Sequence, residues 1–511
     1  MEGNISKTLL ISSALIVLLY SVIRAVYIIW WRPKNLEKHL RQQGIRGTSY
    51  KLLYGDLKEI KKSTMEAWSK PMTLKHNIAP RVSPFFHQMV QKYGKVSLSW
   101  IGTRPRLIIG DPELIRLILA DKSGDFVRQP RNPLTDLLQM GLLSLEGERW
   151  AKRRRLLTPA FHLEKLKKMV PAFSTSCFGL IDRWKELISP QGSCEIDVAS
   201  EFQNLAGDVI SRTAFGSSYK EGKIIFELQK EQIKLVLEAH NNIYIPGFRF
   251  IPTKKNKRRY TIDNDIKATL RDMIRRKEQS MRDGELDNND LLGLLLQCKE
   301  QSNNGMTIED VIEECKLFYI AGQETTAILL TWTMILLSIH PNWQEKARDE
   351  VLRISAKKTL DFEAINHLKI VSMVLNEVLR LYPPVTSVFR HTWRKTNIGG
   401  MSIPAGVDFV LPILFSQCDP KCWGKDVEEF NPARFSEGIA KATKDEIAFF
   451  PFSWGPRICL GQNFAMIEAK MALAMILQHF SFQLSPSYTH APYTLITLQP
   501  QHGAPIILHR L

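Results

Sequence analysis

The stretch that decides the fold is Phe452-Ser-Trp-Gly-Pro-Arg-Ile-Cys-Leu-Gly461, near the carboxyl end of a chain of 511 residues. Its two glycines and its proline predict a tight turn, and an apolar run that favours a helix begins at Gln462. The turn therefore presents the thiol of Cys459 just before a helix N-terminus. Free amide groups and the positive end of the helix dipole stabilise a thiolate there, as would Arg457, so the pattern predicts an anionic cysteine.

An anionic sulfur in an apolar setting needs a cation beside it. Iron in a porphyrin supplies one, and a thiolate axial ligand favours cleavage of an O–O bond. Phe452 would pack beside the sulfur, while Gly455 and Gly461 would let the backbone lie close to a flat cofactor. The alternative is a buried structural cysteine in a glycine loop, and the spacing of the Phe, Gly, Arg and Cys residues argues against it.

The decapeptide resembles the heme-binding signature of the cytochrome P450 enzymes, and the resemblance extends over the whole chain. It implies a mainly α-helical fold with a minor β-sheet region, in which heme b, or iron protoporphyrin IX, lies between a long central helix and the cysteine loop. It also implies that Cys459 is the ligand of the iron and that Phe452 helps to hold the cofactor.

Further stretches resemble one plant branch of that family, the clan numbered seventy-two. Its members oxidise isoprenoids, including triterpenoids, iridoids and hormones. The stretches that carry this narrower resemblance are residues 43–50, 77–82, 159–167, 245–254 and 367–371.

A long apolar stretch, residues 307–339, has the period of a helix and contains Ala321-Gly-Gln-Glu-Thr-Thr326. The small residues leave room for something flat against this helix, and the Thr325 hydroxyl can bond the backbone four residues earlier. The alternative is a glycine tolerated in a core helix, with Glu324 in solvent. The segment resembles the oxygen-activating motif of the family, which implies that Thr325 and Glu324 deliver protons during catalysis.

Glu377 and Arg380 lie one helical turn apart, and Pro383 and Pro384 end their predicted helix. The resemblance implies a structural lock in which Glu377 pairs with both Arg380 and Arg434. The spacing alone is ambiguous, because it also occurs in Glu113/Arg116, Glu146/Arg149, Glu345/Arg348 and Glu350/Arg353.

Three arginines match the positions from which the family binds the heme propionates: Arg154, Arg390 and Arg457. Trp150 would add an indole donor to the same cofactor-binding set. The alternative for each arginine is a solvated surface position. Apolar residues around the expected distal pocket are nominated as substrate contacts, and they are Leu137, Leu138, Phe318, Ala321, Val385 and Val388.

The amino terminus is almost continuously apolar from Thr8 to Trp31, long enough for a helix to cross a bilayer. Basic residues concentrate directly after it, which favours a cytosolic position for the remainder of the chain. We expect three parts: a membrane anchor over residues 1–31, a basic linker over 32–50, and the heme-thiolate catalytic domain over 51–511. With the resemblance, this predicts a single-pass protein of the endoplasmic reticulum membrane whose catalytic domain faces the cytosol.

The chain carries 69 basic and 52 acidic side chains, a net charge of +17, and only seven cysteines. The charge suits an acidic partner or a membrane surface, and the sparse cysteines favour free thiols over disulfides. The sequence contains no Gly-x-Gly-x-x-Gly, P-loop or His-Glu-x-x-His motif, and no recognised nucleic-acid module. We therefore expect no nucleic-acid partner.

The resemblance implies a monooxygenase that acts on a small hydrophobic substrate with O2. Since the chain has no dinucleotide fingerprint, electrons would come from another protein. The resemblance implies that this partner is NADPH-cytochrome P450 reductase, which takes the electrons from NADPH. A heme-thiolate isomerase or dehydratase that needs no reductase is one alternative, although the acid–hydroxyl pair argues against it. A non-enzymatic heme-binding protein is the other.

Local patterns also predict individual elements. A hairpin is expected around Gly102-Thr103, followed by a helix that Asp111 caps and that continues to Leu119. Other predicted helices are 148–157, 163–187, 223–241, 262–282, 307–339, 343–354, 364–381 and 462–479, and late strands are 480–484, 493–498 and 504–508.

Overall fold

A computed structural model describes residues 2–130, 132–138, 140–188, 192–216, 219–240, 244–283, 290–300, 306–355, 360–444 and 447–511. Helices dominate the described part of the chain, and the strands form small sheets. The predicted class, mainly α with a minor β region, is confirmed.

The α-helices of the described residues are numbered in chain order. They are α1 (Glu2–Val26), α2 (Arg32–Gln42), α3 (Leu57–Trp68), α4 (Ala79–Val82), α5 (Pro84–Tyr93), α6 (Pro112–Leu119), α7 (Gly147–Leu157), α8 (Leu163–Leu187), α9 (Val198–Phe215), α10 (Tyr219–His240), α11 (Lys254–Arg282), α12 (Leu291–Glu300), α13 (Ile308–Ile339), α14 (Pro341–Ser355), α15 (Phe362–His367), α16 (Lys369–Leu381), α17 (Ile413–Gln417), α18 (Pro420–Trp423) and α19 (Gln462–His479).

The strands of the described residues are numbered in the same way. They are β1 (Arg46–Gly47), β2 (Val96–Ile101), β3 (Arg104–Ile109), β4 (Phe126–Val127), β5 (Ser193–Asp197), β6 (Val388–Thr392), β7 (Thr396–Ile398), β8 (Met401–Ile403), β9 (Asp408–Leu411), β10 (Phe480–Leu484), β11 (Pro492–Thr494), β12 (Leu498–Pro500) and β13 (Pro505–Arg510).

The largest sheet has six strands in the order β1-β2-β3-β9-β6-β4. Strands β2 and β3 form the predicted antiparallel hairpin, with Val96 opposite Ile109. The carboxylate of Asp111 accepts the backbone N–H of Leu114 at 3.0 Å, so the predicted cap of α6 is confirmed. The smaller sheets have the order β10-β13-β5 and the pairs β11-β12 and β7-β8.

The central helix α13 runs through the main hydrophobic core and packs against α9, α16 and α19. Its second half is buried on every side, from Thr326 to Leu337. A helix that is apolar all round belongs inside a protein or a membrane, and the surrounding helices here supply the protein interior. The predicted 307–339 helix is confirmed to within one residue.

Two predicted elements are wrong in detail because tertiary contacts divide them. The expected 364–381 helix is interrupted at Leu368, which separates α15 from α16. The buried carboxylate of Glu350 accepts the backbone N–H groups of Lys369, Ile370 and Val371, and it therefore caps the N-terminus of α16. The expected 493–498 strand is a hairpin instead, since β11 and β12 pair antiparallel around a turn at 495–497.

Other elements lie outside the sequence-based predictions. Helix α9 is preceded by Asp197, whose side chain accepts the N–H of Ala199, and is followed by Gly216 in the left-handed conformation. Both residues are ordinary helix signals, so this helix was predictable in principle. Strands β6 to β9 are short, at three to five residues each, and carry little periodicity of their own.

The amino-terminal helices form one continuous helical rod that is apolar along α1 and basic along α2, and a π-helical turn at Tyr27–Trp31 joins the two. Two helical segments of the described residues are long and apolar enough to span a bilayer, Leu9–Gln42 and Ile308–Ile339. The apolar window of the first is wholly outside the core, whereas that of the second is 72% buried. The segment 32–50, expected as a basic linker, contains α2 and β1.

Gly322 on α13 shows why one position of the central helix must be small. A methyl group built there would lie 2.8 Å from the Cδ1 atom of Ile210 on α9. The expectation that this space receives a flat ligand is wrong for Gly322, since Ile210 fills it. The glycine allows α9 to approach α13 closely.

We predict that Gly322→Val destabilises the fold through this contact. Overpacking at the α9–α13 contact should lower the free energy of unfolding by about 1–3 kcal/mol. Thermal unfolding of the detergent-solubilised full chain, followed by circular dichroism, measures it. Adding Ile210→Ala should recover part of the loss although Ile210→Ala alone destabilises; strictly additive effects would contradict the proposed contact.

Candidate active site

The cysteine loop is a strained turn that holds Cys459 at the start of α19. Ser453 has a left-handed backbone with φ of 64°, and one 3₁₀ turn follows at Gly455–Arg457. The N–H of Cys459 donates to the carbonyl oxygen of Phe452 at 2.9 Å. The side chain of Cys459 is exposed, so the thiol is not packed into the core as a structural cysteine would be.

The two glycines of the loop have different roles. Gly455 has φ of 70°, and a side chain there would collide with the carbonyl of Leu119 at the end of α6. Its predicted role beside a cofactor is therefore corrected to close packing against α6. At Gly461 the nearest atom to an added methyl group is Cε1 of Phe161, at 3.9 Å, so the backbone there has open space in front of it.

The protein alone does not make Cys459 anionic. Partial desolvation raises the pKa of the thiol, and the opposing effects of the Gly461 backbone amide and the Arg154 guanidinium are smaller. Arg457, which is expected beside the sulfur, acts elsewhere, and Arg154 is the nearby cation. A thiolate at this position therefore requires a further positive charge.

Three guanidinium groups converge near the loop, and they come from separate elements. Arg154 lies on α7 next to Cys459, Arg390 on β6, and Arg457 in the loop itself. Burial lowers the pKa of Arg390 to about 10, and the neighbouring Arg457 charge acts in the same direction. Burial is also the main cause that lowers the pKa of Arg457 and of Arg154.

Arg457 connects this cluster to α7. Its guanidinium lies over the ring of Trp150, 4.5 Å from the centroid, and donates to the Leu145 carbonyl at 3.1 Å and to the carboxylate of Glu146. The Nη1 atom of Arg457 is buried without a hydrogen-bond partner among the described residues. That donor is therefore available to a ligand.

These observations fit the cofactor that the sequence predicts. Partly desolvated guanidinium groups with one unpaired donor suit the two carboxylates of heme, and the exposed thiol with the open face of Gly461 suits a flat macrocycle. Within the described residues no cluster of three or more His, Cys, Asp or Glu side chains could hold a metal ion by itself. An iron held by one thiolate and four porphyrin nitrogens needs no such cluster.

The residues of the Ala321–Thr326 motif on α13 have different surroundings. Ala321 is exposed on a helix that is otherwise largely buried, and the Thr325 hydroxyl donates to the Ala321 carbonyl at 2.8 Å. The predicted bond to the backbone four residues earlier is confirmed. The Oε2 atom of Glu324 accepts from Thr497 Oγ1 at 3.0 Å and from Gln499 Nε2 at 3.1 Å, and burial raises the pKa of this carboxyl.

The buried carboxylate of Glu377 forms the predicted three-residue lock. It accepts Nε and Nη2 of Arg380 at 2.7 Å each, and Nε of Arg434 at 3.4 Å. Arg380 is completely buried and also donates to backbone carbonyls of Gln417, Val427 and Glu429. Because its donors are satisfied on all sides, this arginine fixes α16 to the segment before the cysteine loop.

Comparisons with known proteins agree with this geometry. The cytochrome P450 family model matches residues 74–503. The chain belongs to the cytochrome P450 family. As a member it is an enzyme of the monooxygenase class, and the family implies a heme cofactor.

Individual relatives agree with the narrower clan. The chain is 53% identical to cytochrome P450 CYP72A616 of Paris polyphylla, over 94% of this chain and 95% of the relative. It is 48% identical to 7-deoxyloganic acid hydroxylase of Catharanthus roseus, over 96% and 97% of the two chains. A solved structure, retinoic acid-bound cyanobacterial CYP120A1, has a TM-score of 0.75 at 22% identity, covering 91% of this chain and 99% of that one.

The nominated substrate contacts of this P450 do not all share the same surroundings. Leu138 packs with Val236 and Ile320, whereas Phe318 stacks on Phe161 at a centroid distance of 5.6 Å within the main core. Of the others, Ala321 and Val385 are exposed, and Leu137 and Val388 are half-buried. Their contact with substrate stays a prediction.

Sequence reasoning missed several residues of the P450 site. Glu146 pairs with Arg457, Phe161 lies near both Phe318 and Gly461, and Gln499 holds the carboxyl of Glu324. Phe161 lies in the stretch 159–167 that resembles the clan, and Glu146 was considered only for its spacing to Arg149. Neither pattern indicates the contact that each residue makes with a residue distant in sequence.

We predict that Glu377→Ala prevents normal assembly of the P450. Removal of the carboxylate leaves Arg380 buried without its counter-ion, a change that costs about 3–5 kcal/mol. The fraction of holoprotein and the thermal unfolding midpoint measure the effect. Glu345→Ala is the matched control, since Glu345 has the same spacing to an arginine but is exposed; equal effects of the two variants would contradict the lock.

Proposed function

We propose that this chain is a membrane-anchored heme-thiolate monooxygenase that hydroxylates or further oxidises a hydrophobic isoprenoid. The observation that carries the proposal is the exposed Cys459 thiol at the N-terminus of α19, beside a cluster of desolvated guanidinium groups. When bound, the heme supplies activation of O2 for insertion of one oxygen atom into a C–H bond.

The chain's own residues hold and shield that chemistry. Cys459 would be the iron ligand, and Phe452 fixes the loop by accepting the Cys459 N–H. Arg154, Arg390 and Arg457 would bind the propionates, with the indole N–H of Trp150 as a further donor.

Two residues of α13 would move protons. The Thr325 hydroxyl is held at the surface of the helix beside the exposed Ala321. Burial favours the neutral form of the Glu324 carboxyl, which can therefore act as a proton donor. These roles support a reductase-dependent oxygenase over an isomerase or dehydratase, because rearrangement of a peroxide needs no proton delivery.

The N-terminal rod supports attachment to the endoplasmic reticulum membrane. The large apolar side chains described on α1 are exposed, and basic side chains follow on α2. A second exposed apolar segment, residues 245–251, contains Phe250 with 72% of its surface exposed and is followed by the basic start of α11. Apolar side chains next to cations suit a membrane surface. The catalytic domain would face the cytosol and receive electrons from NADPH-cytochrome P450 reductase.

The substrate class is proposed from the relatives and from the chemistry of the nominated contacts. One relative is named a 7-deoxyloganic acid hydroxylase, so an iridoid is one candidate skeleton, alongside triterpenoids and hormone-like isoprenoids. The nominated contacts are all apolar, which suits a hydrophobic body.

We predict that Cys459→Ser removes the thiolate ligand. The reduced carbonyl complex of the wild type should show a strongly red-shifted Soret band, and the variant should lack it because oxygen donates less electron density than sulfur. The ultraviolet–visible spectrum measures this. Cys194→Ser, at a half-buried thiol on β5, should keep the band, and persistence of the band in Cys459→Ser would refute the assigned ligand.

We predict that microsomes carrying this chain and a plant reductase oxidise a member of an isoprenoid panel. The panel should contain 7-deoxyloganic acid, triterpenoid aglycones and isoprenoid hormones, with products measured by mass spectrometry. NADPH and O2 should be consumed in step with product. Product without NADPH would favour the isomerase, and a binding spectrum without turnover on any compound would favour a heme-binding protein.

A further inference from the structure

The carboxyl of Glu324 is held by the hairpin β11–β12 near the end of the chain. Thr497 Oγ1 and Gln499 Nε2 both donate to the same oxygen, Oε2, at 3.0 and 3.1 Å. The two donors are also joined, since Gln499 Nε2 lies 3.3 Å from Thr497 Oγ1. The side-chain conformation of Glu324 is therefore fixed by residues of the hairpin and not by residues of α13.

The backbone of the hairpin is itself fixed at Leu498, which lies between the two donors. Its N–H donates to the Pro384 carbonyl at 2.9 Å, and its carbonyl accepts the indole N–H of Trp332 at 2.8 Å. Trp332 is fully buried on α13, about two turns after Glu324. The hairpin is thus fixed in position against α13, the helix that carries the Glu324 carboxyl.

The groups around Glu324 have opposing effects on its ionisation. Burial favours the neutral acid, while Thr497, Gln499 and the Lys230 charge on α10 favour the carboxylate. Tyr493 is another titratable group nearby, and its hydroxyl donates to Gln499 Oε1 at 3.4 Å. A carboxyl under such opposing influences can release and regain a proton without leaving its place.

We propose that Thr497 and Gln499 are positioning residues for proton transfer through Glu324, an inference that rests on the proposed function. The O–H bond of the neutral acid breaks and its proton passes to the hydroxyl oxygen of Thr325, while the Thr325 hydroxyl gives its own proton to the O2 that is being reduced. The remaining carboxylate is stabilised by the two donors, and a solvent proton then restores the acid. Without the donors the carboxylate would be buried and unsupported.

The variants that test this are Thr497→Val and Gln499→Leu, each of which removes one donor with little change of shape. Thr494→Val is the matched control, because the Thr494 hydroxyl lies on the same hairpin, is buried and has no hydrogen-bond partner among the described residues. Thr497→Ser, which keeps the hydroxyl donor, should behave like the wild type in both readouts. Each variant must first show the red-shifted Soret band of the wild type.

The first readout is the infrared C=O band of the neutral Glu324 carboxyl in substrate-free holoenzyme, assigned by its loss in Glu324→Gln. Its titration midpoint should move to higher pH in Thr497→Val and Gln499→Leu and stay in place in Thr494→Val. The second is the fate of O2 with a plant reductase, where the ratio of peroxide to water should rise about tenfold.

Unchanged midpoints and ratios in Thr497→Val and Gln499→Leu, with both readouts altered in Glu324→Gln, would overturn the positioning role and leave the proposed function intact. An effect of Thr494→Val as large as that of Thr497→Val would also overturn it, since the cause would then be the packing of the hairpin. A wild-type chain without the red-shifted band would refute both proposals.

Discussion

The burial of positively charged arginine side chains is the constraint on which the structure around the cysteine loop depends. Arg380 is fully buried and satisfied by Glu377 and three backbone carbonyls, so its contacts are all within the protein interior. Arg390 and Arg457 are also desolvated, yet Arg457 retains a buried donor without a partner among the described residues. Arg106 and Arg259 also keep one buried guanidinium nitrogen without a partner among the described residues, so an unpaired donor alone does not mark a ligand site. What distinguishes Arg457 is its position in the cysteine loop, and this position is the basis for the proposal that it binds the cofactor.

The same contrast applies along α13, where successive residues serve different neighbours. Gly322 is small because Ile210 packs on it, whereas Ala321 is small on an exposed face. Glu324 turns to the hairpin and Thr325 back to its own helix. Successive residues of a helix point about 100° apart, so a six-residue motif can contact a packing helix and a distant hairpin and also present an exposed face. One short motif therefore combines several functions.

Sequence reasoning succeeded where the deciding interaction is local. The hairpin of β2 and β3, the Asp111 cap and the bond from Thr325 to the Ala321 carbonyl all join residues within one element or one turn. It failed where contacts between residues distant in sequence determine the local structure. The break at Leu368 is set by Glu350, the role of Gly455 by α6, and the position of Arg457 by Glu146. The lock at Glu377 was found because a family resemblance, and not its spacing, singled it out.

The distance in sequence between Glu324 and the residues that hold it has a chemical consequence. Thr497 lies 173 positions further along the chain, so the motif on α13 fixes which acid is present but not how readily that acid ionises. Two chains with the same Glu-Thr pair can therefore differ in how readily this carboxyl ionises if their last hairpins differ. The hairpin also carries the exposed Leu495 and Ile496 at its tip. Substitutions at this tip would act on the backbone that holds the Glu324 carboxyl, so the tip and the ionisation of this carboxyl are physically linked in this fold.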